Sequence, residues 1–412
     1  MKKNNNILIL THWSYEDALI QAYTLPYVFI IRKNIESGRR IILVTFEQEH
    51  LKMDEATLAE KRKFLHSRGI ELITLNYSNF KFSLAVKFLG YISKLIYIIK
   101  NEKVGIIHAW CTPAGSLGYL LCKLTGRKLI IDSYEPHAEA MVENNTWKRS
   151  SLKYRVLFFL EKKLSNFASV LISATEGMKK YAADSYKIVP KYFLVKPACV
   201  NNAIFNIDKR KNPKLLKEFE LENKIVCVYA GKFDGIYLTK EVFKIFKAAE
   251  DKWGESFRAL VLTNHSIVQL QEWAIESDFS LEKLICKFVS YEDIPYYMGL
   301  GDFAITPVKP IPTKRYCSPI KDGEYWALGL PVIITKDISD DSDIIRTNDI
   351  GYVLENFSVA EFKKAVDKIE SLLLLKEVLT HKISNIALEY RSYSIAEDIY
   401  RKIYKENYFN LD

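Results

Sequence analysis

Residues 317–335 read Cys-Ser-Pro-Ile-Lys-Asp-Gly-Glu-Tyr-Trp-Ala-Leu-Gly-Leu-Pro-Val-Ile-Ile-Thr, and this stretch predicts a short helix that leads into a buried strand. Ser318 suits the N-cap, and Pro319 suits the first helical position because its missing N–H costs nothing there. The helix is expected to span about 10 residues. Gly329 suits the left-handed residue that ends a helix, and the β-branched run after Pro331 suits a strand buried on both faces.

The start of this helix is expected to bind a phosphate group. The first N–H groups of a helix have no partner within it, and the helix dipole favours an anion there. A cation at Lys321 opposes that dipole unless an anion binds nearby, which is a further indication of a phosphate. Glu324 follows about a turn and a half from the helix start, within reach of a hydroxyl beside the phosphate. The alternative, a well-capped surface helix without a ligand, stays open from this stretch alone.

Length and composition describe a globular protein of two domains. The 412 residues exceed one ordinary core, so two domains of about 200 residues are expected. The six cysteines form neither CxxC pairs nor a disulfide framework, which is typical of a reducing compartment. The sequence contains no long uncharged apolar stretch, so no membrane-spanning helix is predicted. These features together predict a cytoplasmic protein.

The net charge of +9 is concentrated in the first half of the chain. Residues 1–195 hold 29 Lys and Arg against 17 Asp and Glu, whereas residues 196–412 hold 30 against 33. A basic half predicts an anionic partner on that side of the molecule. Because the sequence has no recognised nucleic-acid module and no Arg/Gly-rich arm, we expect no nucleic-acid partner, and an anionic membrane surface fits better.

Residues 80–100 are the candidate for a membrane contact, since they mix aromatic and aliphatic residues with lysines and hold no acid. This composition resembles an interfacial helix, which predicts peripheral association of a cytoplasmic protein with the inner face of the membrane. The alternative is a core helix of the first domain whose lysines face water.

Strand-like and helix-like segments alternate through both halves, which predicts an α/β protein with a parallel, doubly wound sheet in each half. The two alternations are separated near residues 195–205, and ligands of such sheets bind beyond the carboxyl ends of the strands. The strands are predicted at 7–11, 40–46, 71–75, 105–109, 128–131 and 170–173, and then at 224–230, 258–263, 284–288, 303–306, 332–335 and 351–353.

The stretch 317–335 resembles the donor-site signature of retaining GT-B glycosyltransferases of family 4, Ser-Pro-x-Lys-x-x-Glu-Tyr-x-Ala-x-Gly-x-Pro-Val-Ile. The resemblance continues through a linker at 197–205 and a last helix at 393–404 that crosses back to the first domain. It implies a GT-B fold of two Rossmann-like domains that face each other across a cleft. Residues 1–195, with about 394–412, would form the acceptor-side domain, and 196–393 the nucleotide-sugar-binding domain. The matching residues are Ser318, Pro319, Lys321, Glu324, Tyr325, Ala327, Gly329, Pro331, Val332 and Ile333.

The resemblance also implies which residues bind the diphosphate of the donor. Lys232, directly after the strand-ending Gly231, stands where the family usually has an arginine, and Lys240 falls at the place of a family lysine. A lysine in place of arginine loses the bidentate fork but keeps the charge. We therefore expect Lys232 to stabilise the leaving phosphate, with Gly231 and Lys240 in the donor site.

The helix start completes the expected donor site. The amides of the segment Ser318, Pro319 and Ile320 are expected to hold the diphosphate together with Lys321, and Glu324 matches the family glutamate that holds the ribose hydroxyls. The family's usual second glutamate, eight residues earlier, is replaced here by Tyr316, which leaves the sugar open.

In the first half, His137 lies just past a predicted strand, with Glu135 beside it. A histidine there is expected to bind the transferred sugar or an acceptor hydroxyl, and Glu135 to polarise it. The alternative is a hydrogen-bonded structural histidine. The turn after the first strand, Thr11-His12-Trp13-Ser14, lacks the Gly-Gly that is common in the family.

The predicted function is transfer of a hexose from a nucleotide-sugar donor to the hydroxyl of a lipid-linked or glycan acceptor, with retention of configuration, in surface polysaccharide synthesis. No G-x-G-x-x-G follows the first strand, which argues against a nicotinamide dehydrogenase. Asp340-Asp341-Ser342-Asp343 is interpreted as a solvated acidic turn, so neither a metal nor another cofactor is expected. The alternatives are a GT-B nucleotide-sugar epimerase and a non-catalytic nucleotide-sugar-binding partner subunit.

Overall fold

The computed structural model describes residues 6–76 and 84–406, which fall into two compact units. Unit 1 is Met1–Lys196 with Ser394–Asp412, and unit 2 is Pro197–Tyr393. Within the described ranges, no helix combines the length and apolar character that crossing a bilayer requires.

Unit 1 is built on a seven-stranded parallel sheet in the order β3-β2-β1-β4-β5-β6-β7. Its central strands are runs of isoleucine, leucine and valine because helices cover both faces of the sheet. All six predicted strands are present, and the edge strand β7 was not predicted. The strands are β1 Asn6–Leu10, β2 Ile41–Glu47, β3 Ile70–Asn76, β4 Val104–Trp110, β5 Lys128–Tyr134, β6 Val170–Ser173 and β7 Phe193–Val195.

The strand order decides which helices of unit 1 share a face. The chain moves from β1 outward to β3 through the first two helices, and then in the opposite direction from β3 through β4 to β7. Right-handed crossovers therefore put α1 and α2 on one face of the sheet and α3, α4 and α6 on the other. The helices are α1 Leu25–Asn34, α2 Glu55–His66, α3 Leu84–Asn101, α4 Cys111–Thr125, α5 His137–Glu143, α6 Leu152–Phe167 and α7 Gly177–Tyr181, with π-helical turns at Leu19–Thr24 and Ala182–Tyr186 and a 3-10 turn at Glu49–Leu51.

Unit 2 repeats the doubly wound arrangement with six parallel strands in the order β10-β9-β8-β11-β12-β13. All six predicted strands are present. The strands are β8 Ile225–Ala230, β9 Phe257–Leu262, β10 Leu284–Lys287, β11 Phe303–Thr306, β12 Val332–Thr335 and β13 Gly351–Leu354. The helices are α8 Pro213–Glu218, α9 Lys240–Trp253, α10 Ile267–Glu276, α11 Ile294–Met298, α12 Ile320–Ala327, α13 Asp341–Asn348, α14 Val359–Leu373 and α15 Lys376–Arg391, with 3-10 turns at Ile207–Lys209, Gly254–Ser256, Leu281–Lys283 and Pro312–Tyr316.

The helix α12 is shorter at its start than the sequence predicts. Pro319 is the N-cap and no side chain caps the helix, so the prediction of Ser318 as N-cap and Pro319 as first helical residue is wrong. At the other end, Gly329 has a φ of +69°, and the Leu330 N–H donates to the Tyr325 carbonyl at 2.9 Å. This is the helix ending that the left-handed Gly329 was expected to provide, and it directs the chain into β12.

The last helix returns to unit 1. Helix α16, Tyr393–Tyr400, continues into a π-helical turn at Arg401–Lys405. The Tyr400 hydroxyl donates to Asp132 Oδ2 at 2.6 Å, and the Tyr404 hydroxyl lies 2.6 Å from His108 Nδ1. These buried polar contacts join the end of the chain to β4 and β5, which confirms the predicted return.

Candidate functional site

The N-terminus of α12 is the first part of the candidate site in unit 2. With Pro319 as an N-cap that accepts no amide, the N–H groups of Ile320 and Lys321 have no side-chain cap. Such amides, with the positive end of the helix dipole, favour an anion. Pro319 itself has no N–H, so the 318–320 segment offers fewer donors than predicted, and the Lys321 amide joins them.

The Lys321 ammonium lies directly against the end of β8. A Cβ on Gly231 would be 2.7 Å from Lys321 Cε and 3.2 Å from Lys321 Nζ. The absence of a side chain at Gly231 is thus what allows this cation to lie beside the strand end. Lys321 Nζ is also 5.9 Å from the centre of the Tyr237 ring. The structure therefore brings together two predicted site residues, Gly231 and Lys321.

Glu324 lies one turn inside α12 and is half-buried. Burial raises the pKa of its carboxyl to about 7, and the nearby Lys321 charge partly offsets this rise. Burial, and then the Glu324 charge, raise the pKa of the half-exposed Tyr291 phenol to about 12. The Tyr291 ring also meets Phe205 edge-on, with 6.3 Å between centres. Tyr291 had no predicted role.

The two lysines of the β8–α9 connection differ in their surroundings. Lys232 is exposed, its carbonyl accepts a hydrogen bond from the Tyr229 hydroxyl, and no described carboxylate pairs with its ammonium. Lys240 begins α9 and pairs with Glu276 of α10, with 2.8 Å between Nζ and Oε2. No described contact joins Lys240 to the group around Gly231. The phosphate roles of both lysines stay predictions, and Lys240 would have to leave Glu276 to fulfil its own.

Tyr325 fixes the distance between α12 and β8. It is fully buried, and its hydroxyl accepts the Ala230 N–H at 2.9 Å. Because Ala230 precedes Gly231, this bond holds the strand end where the Lys321 side chain meets it. The signature residue Tyr325 is thus a structural support for the site.

Below the helix start lies a buried polar cluster, defined as Thr306, Ser318, Asp322, Asp341 and Arg391. The Arg391 guanidinium donates to Ser318 Oγ, to Asp341 Oδ2 and, at 3.1 Å, to the carbonyl of Ala198. The Ser318 hydroxyl also accepts the Ala198 N–H at 3.1 Å. Its oxygen is therefore engaged as an acceptor inside the protein and does not cap the helix amides.

The same cluster corrects the interpretation of residues 340–343 as a solvated turn. Asp341 is 1% exposed and begins α13, while Asp322 is fully buried and accepts from the Thr306 hydroxyl. Burial raises the pKa of Asp341 well above its ordinary value. The Arg391 charge opposes this rise, and the Asp322 charge adds to it. A proton on Asp341 gives Asp322 a donor. Sequence alone gave no signal for this pairing, because Arg391 is 50 residues away.

In unit 1, the predicted residues His137 and Glu135 are in contact beyond the end of β5. His137 Nδ1 lies 3.1 Å from Glu135 Oε1, and both side chains are partly exposed. In the turn after β1, burial and then the His137 charge lower the pKa of His12 to about 4. His12 is therefore neutral near pH 7 and was not among the predicted site residues.

Glu161 of α6 supports the start of α5 from the interior. Its Oε1 accepts the Ala138 N–H at 2.8 Å, and its Oε2 accepts the Tyr186 hydroxyl at 2.9 Å. Burial raises the pKa of Glu161 to about 8, against these hydrogen bonds. Because Ala138 follows His137, this carboxyl holds the backbone that carries the histidine.

No group of His, Cys, Asp and Glu side chains within residues 6–76 and 84–406 is arranged to hold a metal ion. The expectation that the protein needs no metal stays a prediction.

The two doubly wound sheets, with a last helix that returns to the first, define a GT-B fold. Sucrose-phosphate synthase from Thermosynechococcus elongatus has a similar structure, with a TM-score of 0.73 and 12% identity over 98% of this chain and 99% of that one. Anabaena HepE, crystallised with UDP, has a TM-score of 0.70 and 14% identity over 97% of this chain and 99% of its own. WaaG, a glycosyltransferase involved in lipopolysaccharide biosynthesis, has a TM-score of 0.66 and 13% identity over 96% of this chain and 98% of its own.

No protein-family model matches the chain. No curated protein sequence matches it either.

Proposed function

We propose that this protein is a glycosyltransferase that moves a hexose from a nucleotide-sugar donor to an acceptor hydroxyl. The observation that carries the proposal is the group at the start of α12. Two uncapped amides and the Lys321 ammonium against Gly231 offer positive charge to a diphosphate, and Glu324 follows one turn later. UDP-, GDP- and ADP-sugars all carry a diphosphate beside a ribose diol.

The site would accelerate transfer by stabilising the leaving nucleoside diphosphate. Preorganised amides and cations interact with that group more strongly as negative charge develops on it, without a proton donor. Lys321 and the amides of Ile320 and Lys321 are the residues that the geometry favours, with Lys232 as an additional exposed cation. This arrangement needs no metal, and the family resemblance adds retention of the anomeric configuration.

Glu324 would hold the ribose and Tyr291 would lie beside the base. A carboxylate accepts hydrogen bonds from two adjacent hydroxyls, and a half-exposed aromatic ring offers a face on which a base stacks. HepE, of the same fold, has been crystallised with UDP-glucose, so a UDP-sugar is the first donor to test.

On the acceptor side, His137, Glu135 and His12 would bind the acceptor or the transferred sugar. The neutral His12 side chain both donates and accepts hydrogen bonds, which suits hydroxyl groups. We propose a lipid-linked or glycan acceptor and a role in surface polysaccharide synthesis at the inner face of an anionic membrane. The basic first half and the similarity to the lipopolysaccharide enzyme WaaG support this part.

A thermal-shift screen against UDP-, GDP- and ADP-sugars tests the donor site. A ligand at 100 times its dissociation constant stabilises the folded protein by about 2.7 kcal/mol, which raises the melting temperature measurably. If no nucleotide sugar produces a shift, the proposal fails. If a donor binds but is neither hydrolysed nor transferred to any glycan lipid, the protein is a binding subunit, and turnover of the donor without an acceptor would indicate an epimerase.

A further inference from the structure

Helix α6 has two opposite faces, of which one is apolar and exposed to solvent. Leu152, Val156 and Phe159 are 75%, 47% and 56% exposed, and their spacing puts them on one side of the helix. The buried side carries Tyr154 and Glu161 among others. No packing requirement inside unit 1 accounts for the three exposed apolar side chains.

Basic residues surround this apolar stripe. Arg155 and Lys163 lie beside it on the helix surface, and both are exposed. Lys163 Nζ is 5.3 Å from the centre of the Phe159 ring. The single acid of α6, Glu161, is fully buried, so the exposed surface of this helix carries positive charge alone.

We propose that α6 is a membrane-docking helix that inserts Leu152, Val156 and Phe159 among the headgroups of an anionic bilayer, with Arg155 and Lys163 on the lipid phosphates. An interfacial helix combines an apolar stripe with flanking cations in this way. The inference rests on the proposed function only for its premise of a membrane-bound acceptor, and it names the surface that would meet the membrane.

The neighbouring helices on the same face of the sheet extend the positive surface. Helices α3 and α4 contain no acid, and they expose Leu89, Tyr97 and Leu124 together with Lys94 and Lys123. The opposite face differs, because α2 exposes Glu55 and Glu60. The exposed surfaces of α3, α4 and α6, which carry lysines and arginine but no acid, fit a uniformly negative partner such as a bilayer better than a protein surface of mixed charge.

The earlier candidate for membrane contact, residues 80–100, falls on α3. Residues 80–83 lie outside the described residues. Of the rest, Leu95, Ile98 and Ile99 are buried in unit 1, while Lys94 and Tyr97 face solvent. Helix α3 is thus both a core helix and part of the exposed face.

Co-sedimentation of the full chain with vesicles tests the proposal. We expect binding to phosphatidylcholine vesicles that contain about one third phosphatidylglycerol, release by added salt, and little binding to pure phosphatidylcholine. The triple variant Leu152→Ser, Val156→Ser, Phe159→Ser should weaken binding at least about tenfold, because the inserted apolar area is lost. The double variant Arg155→Gln, Lys163→Gln should weaken it about 25-fold, since each cation near an anionic surface contributes about fivefold.

Two matched controls separate this helix from general effects. Val268→Ser with Ile275→Ser removes exposed apolar residues from α10, which also carries Glu272 and Glu276. Arg62→Gln with Lys63→Gln removes two exposed cations from α2, on the other face of the sheet. Both controls should bind vesicles as the unaltered chain does.

Four results would overturn the proposal. The first three are equal binding to neutral and anionic vesicles, no binding to anionic vesicles, and unchanged vesicle binding by the α6 variants. The fourth is a change in the oligomeric state of the α6 variants, measured by light scattering, which would mean that a second copy of the chain covers the stripe. Melting temperature and nucleotide-sugar binding should stay unchanged in the α6 variants. A chain that fails to bind any nucleotide but binds anionic vesicles through α6 would reject the proposed function and keep this inference.

Discussion

Glu324 and Lys321 occupy successive positions on one side of α12, and their charges influence each other. Burial raises the pKa of Glu324 to about 7, and Lys321 lowers it. The carboxyl therefore changes its charge within the range in which most enzymes are assayed. A ribose diol donates its hydrogen bonds more strongly to the carboxylate than to the carboxylic acid.

The affinity for a nucleotide sugar should accordingly fall as the pH drops below about 7, by roughly tenfold once Glu324 is protonated. Calorimetric titration with a nucleotide sugar at several pH values measures this, because the two phosphates of such a donor keep their charges throughout. The variant Glu324→Gln should bind weakly at every pH. An unchanged pH dependence in that variant would assign the effect to another group.

Gly231 is the second residue whose chemistry can be isolated. In Gly231→Ala the new methyl group would meet the flexible end of Lys321 at 2.7 Å, so the ammonium must move while the backbone need not. We expect donor affinity to fall about tenfold, the loss of one charge-assisted contact, with little change in melting temperature. Gly90→Ala is the control, because a Cβ there meets nothing within 4 Å. Unchanged donor affinity in Gly231→Ala would mean that Lys321 does not contact the phosphates of the donor.

At the scale of elements, Arg391 connects the start of α12, the start of α13 and the segment at Ala198. It is 1% exposed, as is Asp341. Removing Arg391 leaves the negative charge of the buried Asp322–Asp341 pair without its paired cation.

The variant Arg391→Met should therefore lower the free energy of unfolding by about 3 kcal/mol, measured by urea denaturation. Arg346→Met is the matched control, because the Arg346–Glu355 pair is 44% and 53% exposed and such pairs contribute less than about 1 kcal/mol. Equal effects of the two substitutions would contradict the structural role of Arg391.

Helix α5 depends on Glu161 of α6 in a way that varies with pH. A carboxyl whose pKa is raised on folding binds more protons in the folded state than in the unfolded state. Its contribution to stability is therefore present at low pH and is lost as the pH rises from 4.5 towards about 8.

Compared with the variant Glu161→Gln, the unaltered protein should lose up to about 1.4 kcal/mol per pH unit across that range. Thermal denaturation of both proteins at a series of pH values measures the difference, and all other titrating groups cancel in the comparison. Glu60→Gln, at an exposed position of α2, should show no such difference. Parallel pH profiles for the first pair would contradict a buried, protonated Glu161.

At the scale of the whole molecule, the two units have the same order over six strands, to which unit 1 adds β7, and the chain ends by returning to unit 1. The buried Asp132 of β5 is contacted by Tyr400 of α16 and by Lys196, whose Nζ is 3.2 Å from Asp132 Oδ1. Unit 1 is thus completed by residues from the far end of the chain.

The variant Tyr400→Phe should reduce the protection of β5 amides against hydrogen exchange by about 1–3 kcal/mol, because Asp132 loses a buried donor. Amides of β12 in unit 2 are the internal reference and should keep their protection. Unchanged protection of the β5 amides would mean that the C-terminal helix adds little to the stability of unit 1.

The strands were predictable because a parallel sheet covered on both faces requires runs of β-branched and apolar residues, and β1, β8 and β12 have them. The edge strand β7 was missed because its three residues, Phe193–Val195, form a strand only by pairing with β6. The role of Gly329 was predictable because a helix commonly ends at a residue with positive φ, which glycine adopts without strain. Ser318 was misassigned because its hydroxyl finds Arg391 and Ala198 instead of the helix amides.

The sequence by itself determined the two doubly wound sheets, the short helix α12 and the positions of Gly231, Lys321 and Glu324, since these follow from local periodicity, helix-end chemistry and a spaced signature. Only the tertiary structure decided which charges are buried and what they contact. Arg391 contacts Asp341, Glu161 accepts the Ala138 amide of α5, and no described residue of unit 1 covers the α6 stripe. Such contacts join residues far apart in the chain, and burial, which shifts their pKa values, is a property of the packed fold.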